Sequence, residues 1–143
     1  MMPANRDIEV VITKNEFPNL LRMLPERFNQ GMDALAEEGI NHSKVLMNES
    51  PATGRTYPRK GGKTHTASSP GNPPRPDTGT LINSLRWERR GRSGLDRALI
   101  ASAEHGYYLE YGTTKMAARP FFGPTALYLQ TQVRPVFDGI VKI

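Results

Sequence analysis

The chain has 143 residues, 37% hydrophobic and 23% charged, with a net charge of +5 and no cysteine. That length fits one domain around one core. The missing thiol excludes disulfides, thiolate metal sites and cysteine nucleophiles. The apolar runs fall far short of the roughly 20 residues that cross a bilayer. The start, MMPANRDIEV, has no apolar stretch of the kind a secretory signal needs, so the expected compartment is a cytoplasm or something assembled there.

Residues 7–13 alternate, with Ile8, Val10 and Ile12 on one side, which predicts a half-buried strand. Asn15 offers an N-cap and Pro18 suits a first helical turn. From residue 17 to about 48 the pattern becomes helical. Leu20, Leu21, Leu24, Phe28, Met32, Leu35, Ile40 and Leu46–Met47 recur at steps near three and four. Pro25 removes a backbone donor and either splits off a short first helix or kinks a longer one. Gly31 and Gly39 each weaken a helix by roughly 1 kcal/mol relative to alanine, yet the apolar stripe persists past both. Met23, Met32 and Met47 read as core filler.

Residues 50–77 contain almost no aliphatic side chain larger than alanine. Proline, glycine, serine and threonine dominate, with Arg55, Arg59, Lys60, Lys63, Arg75 and the single aromatic Tyr57 between them. Such a composition cannot build a core, and structureless loops of this length are normally functional or disordered. The segment is therefore either an extended arm that orders against a partner or a disordered linker. Charge follows the same division. Residues 1–50 hold five basic and eight acidic side chains, residues 51–76 five basic and none acidic, and residues 77–143 nine basic and six acidic. The asymmetry favours a polyanion or an acidic protein face as neighbour.

Asp77 or Thr78 is the expected cap of one short helical turn through Leu81 and Leu85. Leu85 to Arg90 reads as a strand, residues 91–94 as a turn, and residues 97–103 as a second strand, together a hairpin. Trp87 is expected to pack on the helix, while Arg86, Arg89, Arg90 and Arg92 form a basic edge facing DNA or an acidic partner. Residues 107–111 form a short helix or a brief strand, ended by Gly112-Thr113-Thr114. A final helix runs from about Pro124 to Phe137, burying Ala126, Leu129, Val133, Val136 and Phe137, with Pro135 bending or fraying its end. The stretch from His105 to Pro124 gathers Tyr107, Tyr108, Tyr111, Phe121 and Phe122. Its aromatics are expected to be buried at the base of the last helix. Glu110 stands among them, and a partly buried carboxylate needs a donor. Arg119 or an arginine of a neighbouring subunit is the expected partner, the alternative being an exposed carboxylate.

Little supports catalysis. His42, His65 and His105 lie in no ligand spacing, and no metalloprotease, serine-hydrolase or phosphate-loop motif occurs. Gly61-Gly62-Lys63-Thr64 lacks the first glycine and the preceding strand of a phosphate loop. Asp77, Glu88, Asp96, Glu104, Glu110 and Asp138 are dispersed, whereas a metal-dependent nuclease needs clustered carboxylates. No catalytic residue, metal site, cofactor or small-molecule substrate is therefore expected. For nucleic acid, the basic arm and the hairpin arginines can neutralise phosphates, and no sequence-reading motif appears.

Two passages carry a resemblance. One is Ser68-Ser69-Pro70-Gly71-Asn72-Pro73-Pro74 followed by Asp77-Thr78-Gly79-Thr80-Leu81-Ile82-Asn83-Ser84. The other is Tyr107-Tyr108-Leu109-Glu110-Tyr111-Gly112-Thr113 followed by Arg119-Pro120-Phe121-Phe122-Gly123-Pro124-Thr125-Ala126. In this order they resemble the small tail-completion, or head–tail joining, proteins of long-tailed double-stranded DNA bacteriophages. The arm is longer and more basic than that pattern. The resemblance implies an α+β fold over residues 1–143. A small antiparallel sheet, made of the N-terminal strand and the hairpin, would pack against the long N-terminal helix and the C-terminal helix, with residues 50–77 inserted as an arm. It implies a structural virion protein of the neck or tail rather than an enzyme. The protein would assemble in the bacterial cytoplasm into a ring, hexameric to fit the tail, around the DNA channel. Its partners would be copies of itself, neighbouring connector and tail proteins, and non-specifically the packaged DNA. Arg55, Tyr57, Arg59, Lys60, Lys63 and Arg75 would contact a neighbouring subunit or partner. Thr78, Gly79, Leu81, Ser84, Tyr108, Glu110, Gly112, Thr113, Arg119, Pro120, Phe121 and Pro124 would be structural. The alternative is a small basic accessory protein that binds DNA without sequence preference. A phage hydrolase or nuclease is a distant third.

Overall fold

A computed structural model describes residues 8–9, 25–92 and 94–140. The remainder of the first strand, Asn15, Pro18, Leu20, Leu21, Met23 and Leu24 lie outside these residues. The architecture is α+β. Strand β1 (Ile8–Glu9) is followed by helix α1 (Pro25–Glu49) and by strands β2 (Thr56–Pro58) and β3 (Thr64–Thr66). Then come a short helix α2 (Thr80–Asn83), strands β4 (Leu85–Arg90) and β5 (Asp96–Ala101), and helices α3 (Glu104–Tyr111) and α4 (Phe122–Ile140).

Strands β4 and β5 form the antiparallel hairpin read from the sequence, with Trp87 opposite Leu99 and Arg89 opposite Arg97. The second strand starts one residue earlier than its apolar pattern suggests and ends two residues sooner. Strand β1 pairs with the other edge of β5, Ile8 opposite Leu99, so the sheet order is β1-β5-β4. The period of two places Leu85, Trp87 and Arg89 on the face toward α1 and leaves Arg86, Glu88 and Arg90 on the opposite face.

Helix α1 supplies the centre of the core. Phe28, Met32, Leu35, Ala36, Ile40 and Met47 are all buried on one stripe, which fits the helical period. Met32 and Met47 are core filler, as read. The described helix begins at Pro25, a residue suited to a first turn, and the residues before it, where a split or a kink would show, lie outside the described ones. Gly31 and Gly39 have a use that propensity does not reveal. A Cβ on Gly39 would stand 2.6 Å from Leu99 Cδ1 and 2.9 Å from Leu129 Cδ1, and one on Gly31 would stand 2.7 Å from Phe137 Cε1. The two glycines let the sheet and α4 approach the helix axis, and the density gained there offsets their low propensity.

In α4 the buried residues are Phe122, Thr125 and Leu129, while Val133, Val136 and Phe137 pack at the core's edge. Thr125 takes the fully buried place, with Ala126 beside it only half-buried. Pro135 lies inside the helix, which runs past it to Ile140 and so does not end there. Residues 107–111 are helical, as the last half of α3.

The segment 50–77 is not the structureless extended loop that its composition predicts. Strands β2 and β3 pair antiparallel, Tyr57 opposite His65, with Lys60–Gly62 forming a short 3-10 turn between them. Three-residue strands with no apolar alternation leave no period to read.

Candidate functional site

The stretch from His105 to Pro124 is tied together by side-chain to main-chain contacts. Helix α3 ends at Gly112, whose φ of 75° and ψ of 174° belong to a backbone region open essentially to glycine alone. A Cβ there would also stand 2.9 Å from both Ala118 N and Met116 O. The chain then folds back on itself. Thr113 N donates to Met116 O at 2.7 Å and Arg119 N donates to Leu109 O at 2.6 Å. This return brings the start of α4 against the end of α3.

Glu110 closes the junction. Its Oε2 accepts the amides of Phe121 at 2.8 Å and Phe122 at 3.0 Å, and its Oε1 accepts the amide of Gly123 at 2.8 Å. The first amides of a helix have no partner within the helix, and a carboxylate satisfies both the donors and the positive end of the helix dipole. Glu110 is therefore a capping residue delivered from another helix. The expected Glu110–Arg119 pair does not form. Arg119 Nε instead donates to the carbonyl of buried Ser68 at 3.1 Å, tying the arm's base to the body.

The aromatics divide at this point. Phe121 and Phe122 are buried with ring centroids 4.8 Å apart. Tyr108 and Tyr111 are 45% and 52% exposed, so the expectation that the whole cluster is buried fails for them. They lie on the outer side of α3, whereas Gly106 on its inner side packs against Leu81.

The first motif is also placed differently. The cap of α2 is Gly79, with φ of 84°, rather than Asp77 or Thr78. Thr78 Oγ1 lies 2.9 Å from Thr80 Oγ1, and Asp77 is taken by Arg59. Leu81 is buried in the core, and Ser84 Oγ accepts the amide of Ala103 at 3.2 Å, joining the two ends of the β4–β5 unit.

The arm has a fixed stem and an exposed tip. Gly54 N donates to Ala67 O, Ala67 N to Arg55 O, and Gly71 N to Ala118 O, at 2.8, 2.9 and 3.0 Å. Ser50 Oγ donates to Pro73 O and Arg75 Nη1 to Thr66 O. Arg59 Nε donates to Asp77 Oδ2 at 2.8 Å. That bond holds the Asp77 carboxyl below its ordinary pKa. Arg55 and Arg59 sit 5.5 and 5.8 Å from the Tyr57 ring centroid. Under the hairpin lies a cavity of about 430 Å³ lined by Tyr57, Arg59 and His65 from the arm, and by Leu81, Leu109 and Arg119 from the body.

The β4 arginines are largely spoken for. Arg86 Nη1 and Arg90 Nε each donate to Glu88, at 2.9 and 2.8 Å, and Arg89 Nη2 donates to Asp33 Oδ2 at 2.8 Å. Arg92 is exposed in the turn. The chain's own acids thus offset part of this basic edge, with Glu88 shared by two arginines and Asp33 shared by Arg89 and Arg97.

Two clusters escaped the sequence reading. Arg97 is 2% exposed, and its Nε donates to Asp33 Oδ1 at 2.7 Å while its Nη2 donates to Asn29 Oδ1 at 2.8 Å. Burial works to raise the Asp33 carboxyl pKa, but the hydrogen bonds and charges of Arg89 and Arg97 outweigh it and hold the value low. Between α1 and α4, Thr125 Oγ1 donates to Phe121 O at 2.9 Å and lies 2.7 Å from Ser43 Oγ and 3.2 Å from His42 Nδ1. Ser43 Oγ likewise donates to Gly39 O at 2.9 Å, so two hydroxyl protons are shared among three contacts, and a proton on His42 Nδ1 is available to Thr125 Oγ1. The His42 ring stacks on Tyr128, centroids 3.9 Å apart, and Tyr128 Oη donates to Glu38 Oε1 at 2.7 Å. Alternating serine or glycine with apolar residues along α1 was the only available sign of this seam.

Among the described residues no group of three or more histidine or acidic side chains is placed to hold a metal ion, and no helix is long and apolar enough to cross a membrane. No protein-family model, curated protein or solved structure matches the chain.

Proposed function

We propose that the chain is a structural virion protein of the neck or tail of a long-tailed double-stranded DNA bacteriophage. It completes the tail and joins it to the head connector by assembling as a ring, six-fold to fit the tail, around the DNA channel. The reading rests on the resemblance of its two motifs in their order. The observation that carries it is how those motifs are used. Glu110, Gly112, Arg119 and Phe121 go into one internal junction that fixes the last helix and the foot of the arm, which is work of construction. In this reading the small sheet with α1 and α4 is the repeating body. The distal hairpin is the part of the arm that reaches outward, because the stem of the arm is committed to its own body.

The test is electron microscopy of purified particles. A ring of this chain at the neck is expected, and particles that lack the chain overturn the reading. Replacing residues 57–65 with a two-residue Asn-Gly turn keeps the stem and removes the tip. Tailed, infectious particles should then be lost while the body still folds. A second reading, a small basic accessory protein that binds DNA without sequence preference, draws on the cations of the same hairpin. It predicts DNA affinity in a protein that never enters virions.

A further inference from the structure

The two groups of basic side chains singled out by the sequence are offset to different extents. On β4, Arg86 and Arg90 share Glu88, and Arg89 is bound by Asp33. At the arm's tip, Arg55, Arg59, Lys60 and Lys63 all stand exposed within nine residues, and residues 51–76 contain no acid. Among the described residues, Asp77, at the foot, is the acid that pairs with one of them, Arg59. The tip is therefore a concentrated positive charge held away from the body's acids.

We propose that this hairpin, residues 55–66, binds the phosphodiester backbone of duplex DNA without reading its sequence. Three features favour DNA over a protein partner. The first is composition. A protein interface of ordinary strength needs an apolar centre and is depleted in lysine, whereas this tip offers one large apolar side chain, Tyr57, among lysine, arginine, glycine and threonine. Phosphate binding needs point charges and tolerates water. The second is shape. β2 and β3 make a two-stranded antiparallel ribbon, an element that the major groove admits. The side chains it carries suit phosphate rather than base-edge contacts. The third is order. Two three-residue strands are marginal alone, but Gly54–Ala67, Ala67–Arg55 and Arg59–Asp77 bonds fix their base, so the charges are presented in place before any partner arrives. In the proposed ring the duplex is the one passing through the neck. That clause alone rests on the ring reading.

The experiment measures fluorescence anisotropy of a labelled random-sequence duplex against the full chain over a salt series. It compares wild type with K60Q/K63Q and R86Q/R90Q, which lose the same net charge at different places. With about three phosphates neutralised, log affinity should fall with log salt at a slope of roughly −2.7. K60Q/K63Q should weaken binding about tenfold at low salt and flatten the slope, while R86Q/R90Q stays within about twofold of wild type. Circular dichroism establishes that both variants are folded. No binding by wild type, or equal losses in both variants, overturns the proposal. So does loss of self-association in K60Q/K63Q with DNA affinity unchanged, which would make the acidic face of a second copy the partner. A neck ring that persists while the tip proves indifferent to DNA leaves the ring reading standing and removes only this one. DNA binding through the tip with no ring in particles does the reverse.

Discussion

Glu110 and Asp77 are both carboxylates that join distant stretches of the chain, and they do it with different donors. Glu110 is half-buried and takes three backbone amides at the start of α4. Asp77 takes the guanidinium of Arg59, whose side chain is 40% exposed, at the end of a long flexible stem. Backbone amides cannot turn away, and water does not replace their partner once they are covered. An arginine at the surface exchanges its carboxylate for water at little cost. The junction is thus built from contacts that fix geometry, whereas the Arg59–Asp77 pair, one of several contacts at the base of the arm, can be given up. Substitutions test that contrast most sharply where a polar group is buried in the body.

Arg97 carries the largest expected effect. Its buried guanidinium is the point where Asp33, Asn29 and the carbonyl of Gly94 meet. Arg97→Met keeps much of the packing and leaves Asp33 with Arg89 alone, so it should cost about 3 kcal/mol in urea unfolding. Because the Asp33 carboxyl is held low, its contribution is fully present above its unfolded pKa, about 3.9, and is lost as pH falls through the lower folded value. The acid limb of the stability curve should shrink in Asp33→Asn. An unchanged limb would mean that another carboxylate governs it.

Glu110→Ala comes next, at about 2 kcal/mol, with three helix-start amides left unpaired. Glu110→Gln should recover part of that loss, since one oxygen remains as acceptor. A double-mutant cycle with Arg119→Met separates the junction from the arm. Arg119 holds the Ser68 carbonyl rather than Glu110, so coupling should be below about 0.5 kcal/mol. A larger coupling would restore the charged pair that the sequence suggested.

Why that pair was misread shows where sequence reading stops. Glu110 was legible as a carboxylate needing a donor, but its donors are amides, which every residue except proline carries and no residue type announces. Side-chain periods fared better. The stripe along α1 and the alternation of β4 each mark a face, and both faces are where the pattern puts them. Gly39 is the opposite case. Propensity scores it as a defect, and only the positions of Leu99 and Leu129 reveal it as the place where three elements meet. Arg97 and Thr125 sat inside apolar patterns as if they were interruptions, because burial of a polar side chain depends on partners more than 60 residues away in sequence. The arm's hairpin was hidden for a different reason, since Thr, Tyr, Pro and His in three-residue strands set up no recurring face.

His42 offers a smaller effect, on the body's helix seam. Burial pushes its pKa below the ordinary value, with the Glu38 carboxylate pulling the other way. The unfolded chain therefore takes up the proton first. His42's contribution is fully present above the unfolded pKa of about 6.5 and is lost as pH falls from there toward the folded value. The urea midpoint should decline as pH falls below about 6.5, and His42→Gln should remove that part of the decline. A midpoint that falls identically in the variant would mean that His42 does not govern the step.

The smallest thermodynamic effect is expected at the arm, and there a different measurement is needed. Asp77→Asn leaves Arg59 without its partner but exposes no core, so the thermal melt of the body should not move resolvably. What changes is the arm's freedom. The tip carries cleavable bonds after Arg59, Lys60 and Lys63, all exposed, and a protease needs them to loosen from the hairpin first. Trypsin should nick Asp77→Asn faster than wild type at these bonds, and added salt should bring wild type toward the variant by screening the ion pair. The body should survive both digestions. If instead the melt drops and the nicking rate does not, Asp77 belongs with Glu110 among the contacts that fix the fold. The arm would then be part of the body rather than an element it holds out.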